Sequence, residues 1–383
     1  MTSRERVKAA LKHKEPDRVP NDFSGTIVSG IHIKAYKSLV RYLGLEVPEP
    51  KVWDPVQQLA EVDEAVRQHF QTDCVPLCIH PPSTWTLKIR DEGDCYTYVD
   101  EWGTTMRMSK RGGHYFEFWR FPIERPEDVR TYRWPDPTDP ARYRGLRDEA
   151  KRLYEETEYA LCGAPLFGGG ILEQATRIMR FDRFLALLGR KSPWADHILG
   201  ALTDLYAETI GRFLEKVGNL IQVVVYWDDL ATQDSLLVSP DTYRALIKPR
   251  HKKLFDLVHS KTQAKLFFHT DGAIWPLIPD LIEVGVDILQ PIQVSAKGMG
   301  DTGKLKRAFG KDLVFWGASC DSQHTLPLGT PEEVREETRR HVLDLKPGAV
   351  TCSAPSITSS QAFLQKTWLP CMKHSSNVGI IHN

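Results

Sequence analysis

The stretch AKLFFHTDGAIWPLIPDLIEVGVDILQP, residues 264–291, decides the fold of this chain. It opens with a short apolar run, Leu266 to Phe268, which predicts a buried strand. A helix is predicted from about Ile274 to Glu283, with Gly285 as its stop. The apolar run from Val286 to Leu289 predicts the next strand. A strand, a helix and a second strand within about thirty residues predict a βαβ unit in a parallel sheet.

Two polar side chains, those of His269 and Asp271, follow the first of these strands. Residues two apart in a strand point to the same side. Barrel enzymes keep their chemistry at the carboxyl ends of parallel strands. An imidazole and a carboxylate placed there can share a metal ion or a proton. The alternative is a histidine packed under a loop, with Asp271 starting the helix.

The bulk composition limits the classes of function. Among 383 residues, Lys and Arg together number 50, as do Asp and Glu, so the net charge is zero. No global field favours nucleic acid or an anionic membrane as a partner. No apolar run approaches the roughly 20 residues that span a bilayer, and the first residues lack a secretory signal pattern. The seven cysteines include no Cys-x-x-Cys pair, which indicates a reducing, cytoplasmic location.

Apolar runs and helical patterns alternate regularly from Pro140 onward. Further strands are predicted at Tyr159–Gly163, Leu220–Tyr226 and Leu313–Trp316. Helices are predicted at 140–156, from 171, at 194–217, 240–260, 301–309 and 331–345. This alternation predicts an α/β fold, a (β/α)8 TIM barrel. A doubly wound sheet is the alternative, but the chain has no GxGxxG or P-loop motif.

The first part of the chain departs from this rhythm. Helices at Thr2–His13, Ile31–Leu43 and Pro55–Phe70 are predicted to form an N-terminal helical extension, with Ser3 capping the first. The alternating residues and turn signals of 84–123 predict an antiparallel β excursion inserted into the barrel. Residues 1–348 are therefore predicted to form a single domain.

Several motifs resemble the uroporphyrinogen decarboxylase superfamily, which includes cobalamin-dependent methyltransferases. They occur in the superfamily's order over about residues 1–348. These motifs are Ser3-Arg4-Glu5-Arg6-Val7, Glu15-Pro16-Asp17-Arg18-Val19-Pro20, Tyr226-Trp227-Asp228-Asp229-Leu230, Ile247-Lys248-Pro249-Arg250, Phe268-His269-Thr270-Asp271-Gly272, Gly317-Ala318-Ser319-Cys320-Asp321 and Leu326-Pro327-Leu328-Gly329-Thr330-Pro331.

The resemblance implies a metal-dependent enzyme. Methylcobamide:thiol methyltransferases bind zinc through His-x-Cys and a distant Cys, and His269-Thr270-Asp271 is similar with Asp in place of Cys. This implies zinc on His269 and Asp271, with the third ligand missing or supplied by Cys320. It further implies methyl transfer between a small methylated compound or thiol and a corrinoid on a partner protein.

Decarboxylation in porphyrin biosynthesis is the alternative activity. True uroporphyrinogen decarboxylases carry an arginine-rich motif ending in Gln-Ala-Gly-Arg, which binds the carboxylates of the substrate. Here Asn21-Asp22-Phe23-Ser24-Gly25 stands in that region. A substrate with many carboxylates needs clustered arginines, which makes this activity the second choice.

Further candidates follow the predicted strands. Asp228 and Asp229 are a pair of carboxylates suited to general acid catalysis, unless they cap a helix. Four residues are expected to bind substrate, namely Trp227, Gln290, Trp316 and Asp321. The run Gly168–Gly170 could admit an anion at a helix start, although a plain loop explains it equally.

Residues 349–383 form an atypical tail. They contain no Asp or Glu and show no clear helix period, although the barrel rhythm requires a last strand and helix there. Read in a shifted frame, their codons can encode a strand with Val-His-Asn-Ile followed by Pro-Pro-Glu-Asn-Leu-Val-Ala-Met. The sequence therefore indicates a frameshift near Gly348 that corrupts the last βα unit. The lost histidine would lie where the superfamily's distant zinc ligand lies, so an inactive barrel is a third hypothesis.

Overall fold

The computed structural model describes residues 1–346 and the backbone of residues 350–353. The strands are β1 (Asn21–Asp22), β2 (Val52–Asp54), β3 (Leu59–Ala60), β4 (Cys74–Cys78), β5 (Arg90–Asp91), β6 (Cys95–Val99), β7 (Thr105–Ser109), β8 (Glu117–Arg120), β9 (Ala160–Ala164), β10 (Val223–Trp227), β11 (Lys265–His269), β12 (Ile288–Gln290), β13 (Val314–Trp316) and β14 (Val350–Ser353). The α-helices are α1 (Ser3–Ala10), α2 (Ile33–Leu43), α3 (Glu64–His69), α4 (Leu146–Glu156), α5 (Ile171–Met179), α6 (Phe181–Gly189), α7 (Pro193–Val217), α8 (Pro240–Thr242), α9 (Lys248–Lys261), α10 (Ile278–Glu283), α11 (Thr302–Phe309), α12 (Thr325–Leu328) and α13 (Pro331–Leu345).

Eight strands form one parallel sheet in the order β1-β14-β13-β12-β11-β10-β9-β4. A hydrogen bond connects residues at its two edge strands, β1 and β4: the Asp73 N–H, just before β4, donates to the Asn21 carbonyl at 2.7 Å. The Phe23 N–H likewise donates to Thr72 Oγ1 at 3.0 Å. The predicted α/β class with a parallel sheet is confirmed.

The opening stretch folds as its pattern predicts. β11 and β12 pair in parallel, and their apolar side chains are buried because helices cover the sheet. The helix between them begins as a 3₁₀ turn, Trp275–Leu277, and continues as α10. Gly285 follows that helix with φ +98°, the backbone conformation that glycine adopts without a steric cost.

A buried ion network ties the N-terminal segment to the sheet. The Asp73 carboxylate is fully buried and receives bonds from Arg6 Nη1 and Arg18 Nη1, each at 2.6 Å. The Asn21 N–H donates to the same carboxylate at 2.7 Å. Two guanidinium groups and a backbone donor therefore compensate the cost of burying that charge.

Three details of the N-terminal half differ from the prediction. The helix predicted at Pro55–Phe70 is wrong in its first half, which contains β3, paired antiparallel with β2. Only α3, in the second half, is helical. The reason is tertiary, since the Ala60 N–H donates to the Ile31 carbonyl. Thr2, not Ser3, caps α1, with a reciprocal bond from Glu5. Helix α6 was not predicted.

Within 84–123, where hairpins were predicted, β5 to β8 form a four-stranded antiparallel sheet. It has a small apolar core of its own around Tyr98, Met106 and Phe116. Among the described residues, no helix has the length and apolar character needed to cross a membrane.

The sequence pattern of the tail did not supply a regular closing strand, yet β14 pairs with β13 and β1. The expectation of a missing last strand is therefore corrected at the level of the backbone. A short strand can form because parallel neighbours on both sides supply its hydrogen bonds. The frameshift predicted near Gly348 and the closing helix concern residues 349–383, of which only the backbone of 350–353 is described.

Candidate functional site

Three side chains meet where β10 and β11 end. The register pairs Trp227 with His269, which places Asp229 beside Asp271, each two residues further along its chain. One ligand atom each from Asp229, His269 and Asp271 lie within 4.8 Å of one another. We refer to these three residues as the triad.

Hydrogen bonds fix the orientation of the triad. His269 Nδ1 is bonded to Gln290 Oε1 on the neighbouring strand β12. When Nδ1 carries the proton for this bond, Nε2 is the free ligand atom, and it lies 3.9 Å from Asp271 Oδ2. The Asp271 N–H donates to Asp229 Oδ1 at 2.9 Å, which holds the second carboxylate. The orientations of the His269 imidazole and the Asp229 carboxylate are therefore fixed before any ion binds.

The donor set fits a divalent metal ion. Ligand atoms about 2.1 Å from a shared zinc ion in tetrahedral geometry lie roughly 3.4 Å apart, which is compatible with the spacing within the triad. An imidazole and two carboxylates are chemically suitable zinc ligands. Asp229 is therefore the third candidate ligand in this group, where the sequence had left that ligand missing or offered Cys320.

Burial and mutual charge shift the proton affinities of these groups. Burial by itself would lower the pKa of His269, but the carboxylates of Asp271 and Asp229 outweigh it and raise the pKa above its usual value. Burial raises the pKa of Asp271, against the opposing influence of His269. Two carboxylates and an imidazole crowded into a desolvated space favour a cation that can neutralise them.

The triad opens into a cleft of about 590 Å³. Trp227, Phe167 and Trp53 supply aromatic walls, and Glu173 faces the same space from the first turn of α5. Burial raises the pKa of Glu173 to about 7, although it forms an ion pair with Arg177.

Asp228 takes the capping role rather than a place in the cleft. It is fully buried, and its two oxygens accept the N–H groups of Leu172 at 3.1 Å and Glu173 at 2.8 Å. It also bonds His251 Nε2 at 3.0 Å. The protein's own carboxylate therefore occupies the start of α5, where the sequence suggested an external anion.

The Gly168–Gly170 loop makes this cap possible. A Cβ on Gly170 would lie 2.4 Å from the Asp228 Cβ, closer than two carbon atoms can approach without displacement. Glycine at this position allows β10 and the start of α5 to touch.

Four other residues that the sequence offered as substrate-binding or metal-binding groups do not line the cleft. Gln290 is 2 % exposed and holds His269 rather than lining the cleft. Trp316 is fully buried, and its Nε1 donates to Asp22 Oδ2 at 2.8 Å. Asp321 accepts the N–H groups of Gln323 and His324 in the loop after β13. Cys320 lies in a separate apolar cluster with Phe23 and Tyr36, away from the triad.

Sequence reasoning missed Glu173, Arg177 and Asp54 as groups that line the cleft. Glu173 and Arg177 lie four residues apart on one helix face, a pattern that is common on solvated helices. Asp54 precedes a turn far from the triad in sequence. Neither signal distinguishes a cleft residue from a surface residue.

Residues 92–351 match the profile of the family described as uroporphyrinogen decarboxylase (URO-D). The fold is similar to that of a methyltransferase from Methanosarcina mazei, with a TM-score of 0.65 and 17 % identity over 98 % of this chain and 99 % of that one. A xylanase 10B from Thermotoga maritima gives a TM-score of 0.38 at 12 % identity over 62 % of this chain and 79 % of that one. No curated protein matches the sequence.

Proposed function

Because this chain belongs to the uroporphyrinogen decarboxylase family, we propose that it is a metal-dependent methyltransferase. It moves a methyl group between a small methylated compound or thiol and a corrinoid carried by a partner protein in the cytoplasm. The observation that carries this proposal is the triad, whose three donors converge in a cleft of substrate size.

Each residue has a role that follows from its contacts. Asp229, His269 and Asp271 would hold zinc, and Gln290 keeps the imidazole turned toward it. When bound, zinc supplies Lewis acidity that favours the thiolate form of a thiol or polarises an oxygen of a methoxy donor. Trp227 lines the cleft together with the triad, and Glu173 with Arg177 belongs to the same lining.

The proposal also includes closure of the sheet into a barrel. We take the eight strands as a closed (β/α)8 barrel, supported by the hydrogen bond between Asp73 and Asn21 at the sheet edges. In such a barrel the triad lies at the carboxyl ends of the strands, where barrel enzymes carry their sites.

Decarboxylation of a tetrapyrrole is less well supported. Arg177 is the one arginine among the described residues that line the cleft, and it is already paired with Glu173. A substrate with many carboxylates requires several free guanidinium groups.

Metal analysis tests the proposal. We expect about one zinc per chain in the purified protein, and loss of most of it in His269→Ala with the fold retained. His197→Ala, on the exposed side of α7, is the matched control. Methyl transfer from methylated corrinoid protein to a panel of thiols is the activity assay. Unchanged metal in His269→Ala, or metal-free protein that decarboxylates a tetrapyrrole, would contradict the proposal.

A further inference from the structure

The cleft contains more acidic than basic groups. Six carboxylates line it, against one guanidinium and two imidazoles among the described lining residues. Glu173 is paired with Arg177, and Glu101 is paired with the buried Arg142. A divalent ion would balance the two carboxylates of the triad. Two carboxylates, those of Asp54 and Glu149, then remain.

Asp54 is held facing the cleft without a cation of its own. Its Oδ2 accepts the Gln57 N–H at 2.7 Å, which fixes the side chain. None of the ion pairs among the described residues includes Asp54. Burial raises its pKa, against the opposing influence of the backbone N–H groups of Gln57 and Val56 and, least, of Arg177, which is engaged by Glu173. Glu149 adds a second, exposed carboxylate to the same lining.

The same cleft is also lined by an open aromatic ring. Trp53 precedes Asp54 on β2, lines the same cleft and is 37 % exposed. Among the described residues no ring or cation stacks on its indole. Phe167, by contrast, has Trp102 stacked at 5.3 Å and the Arg142 guanidinium at 3.6 Å from its ring centre. An open indole and a carboxylate without a cation in one cleft form a favourable environment for an ammonium group.

We propose that the cleft binds a small thiol that carries an ammonium group, with its sulfur at the triad and its ammonium against Asp54 and Trp53. This inference rests on the proposed function, because the metal of the triad would take the sulfur. A thiol with an anionic end would instead face Asp54 and Glu149, while Arg177 is already paired. Charge, rather than size, is therefore the property by which this site selects its substrate.

Three thiols with the same two-carbon chain test the charge preference. They are 2-aminoethanethiol, 2-mercaptoethanol and 2-mercaptoethanesulfonate. Binding to zinc-loaded protein is measured at pH 7 by isothermal titration calorimetry, and sulfur ligation by the charge-transfer band of cobalt(II)-loaded protein. We expect the cationic thiol to bind about 5- to 10-fold more tightly than the neutral one, and the sulfonate most weakly. Tightest binding of the sulfonate would overturn the inference.

Variants assign the preference to named residues. Asp54→Asn keeps an acceptor for the Gln57 N–H and is expected to reduce the cationic preference about 5-fold, with the neutral thiol unaffected. Trp53→Leu is expected to reduce it about 3-fold. Asp204→Asn, at an exposed side chain of α7, is the control, and circular dichroism verifies the fold. A preference that persists in both cleft variants would refute the assignment.

The two proposals fail differently. A charge-transfer band with the wrong order of affinities contradicts the ammonium inference and leaves the proposed function standing. Absence of the band with all three thiols contradicts thiol ligation at the triad, and the ammonium inference with it.

Discussion

Gln290 contacts the His269 imidazole at Nδ1, leaving Nε2 directed to the carboxylates of the triad. A histidine ligand needs such a partner, because the hydrogen bond fixes both the tautomer and the ring orientation. Gln290 was expected to bind substrate. Its burial and its bond to His269 instead make it a positioning residue in the proposed metal site.

Gln290→Leu should weaken zinc binding about 10- to 100-fold, because the imidazole loses its orienting partner. Gln290→Glu should retain most of the affinity, since it still accepts the Nδ1 proton. The zinc dissociation constant is measured by competition with a chelating dye. Gln233→Leu is the matched control, because the Gln233 side chain also makes a hydrogen bond: its Oε1 accepts from Ser295 Oγ at 3.3 Å. Equal affinities in the Leu and Glu variants would contradict the positioning role.

At the scale of elements, the joint between β10 and α5 explains why adjacent aspartates differ. Consecutive residues after a strand point in opposite directions. Asp228 therefore points to the start of α5 and to His251, whereas Asp229 points to the other two members of the triad. The same joint fixes Glu173 in the wall of the cleft, because its backbone N–H is bound by Asp228.

Asp228→Ala should destabilise the fold by about 2–4 kcal/mol, because it removes a helix cap and leaves His251 Nε2 without its buried partner. Urea unfolding measures this change. Asp241→Ala, at a 97 % exposed side chain, should change the free energy of unfolding by no more than about 0.5 kcal/mol. Equal effects of the two substitutions would show that the Asp228 cap does not contribute to the free energy of unfolding.

A second joint connects α10 with the helix that begins at Pro240. Asp280 is buried and bonds Arg244 Nη2 at 2.9 Å and Lys248 Nζ at 2.7 Å. Burial opposes ionisation, but Arg244 and Lys248 outweigh it and lower the pKa of Asp280. A lowered pKa means that this stabilisation is present above the unfolded-state pKa of about 3.9 and is lost as pH falls through the folded-state pKa.

Asp280→Asn should therefore reduce stability by about 1 kcal/mol at pH 7, a value discounted because Arg244 is half exposed. The difference from the unmodified protein should shrink toward pH 3. Urea midpoints at the two pH values test this. Asp256→Asn removes an exposed pair with Lys252 and should show little difference at either pH. A constant difference across the range would contradict the ionic origin.

For the whole molecule, β14 connects β13 to β1 and so completes the eight-strand order. The composition of residues 349–383 still indicates a shifted reading frame. The shifted reading frame would encode a closing helix and a histidine at the last strand. That histidine would be in a position to serve as a further metal ligand.

Restoring the frame from codon 349 should raise the melting temperature and increase the zinc bound per chain, because a packed helix and a fourth ligand are added. Calorimetry and metal analysis compare the two chains. Sequencing of the DNA across codons 346–383 is the direct control. An intact frame, or a restored chain that melts lower and binds no more zinc, would contradict the frameshift.

The sequence by itself determined strands β9 to β13, most helices and the placement of His269 and Asp271 at one strand end, because these depend on local periodicity. Burial of apolar runs and the two-residue repeat of a strand act over a few residues. The third member of the triad, the fate of Asp228 and the cleft position of Asp54 were decided only by tertiary structure. They depend on parallel register, on the approach of α5 through Gly170 and on the β2–β3 pair. The first two of these contacts join residues about 40 to 60 positions apart. No local pattern encodes which carboxylate faces the same space as a distant imidazole.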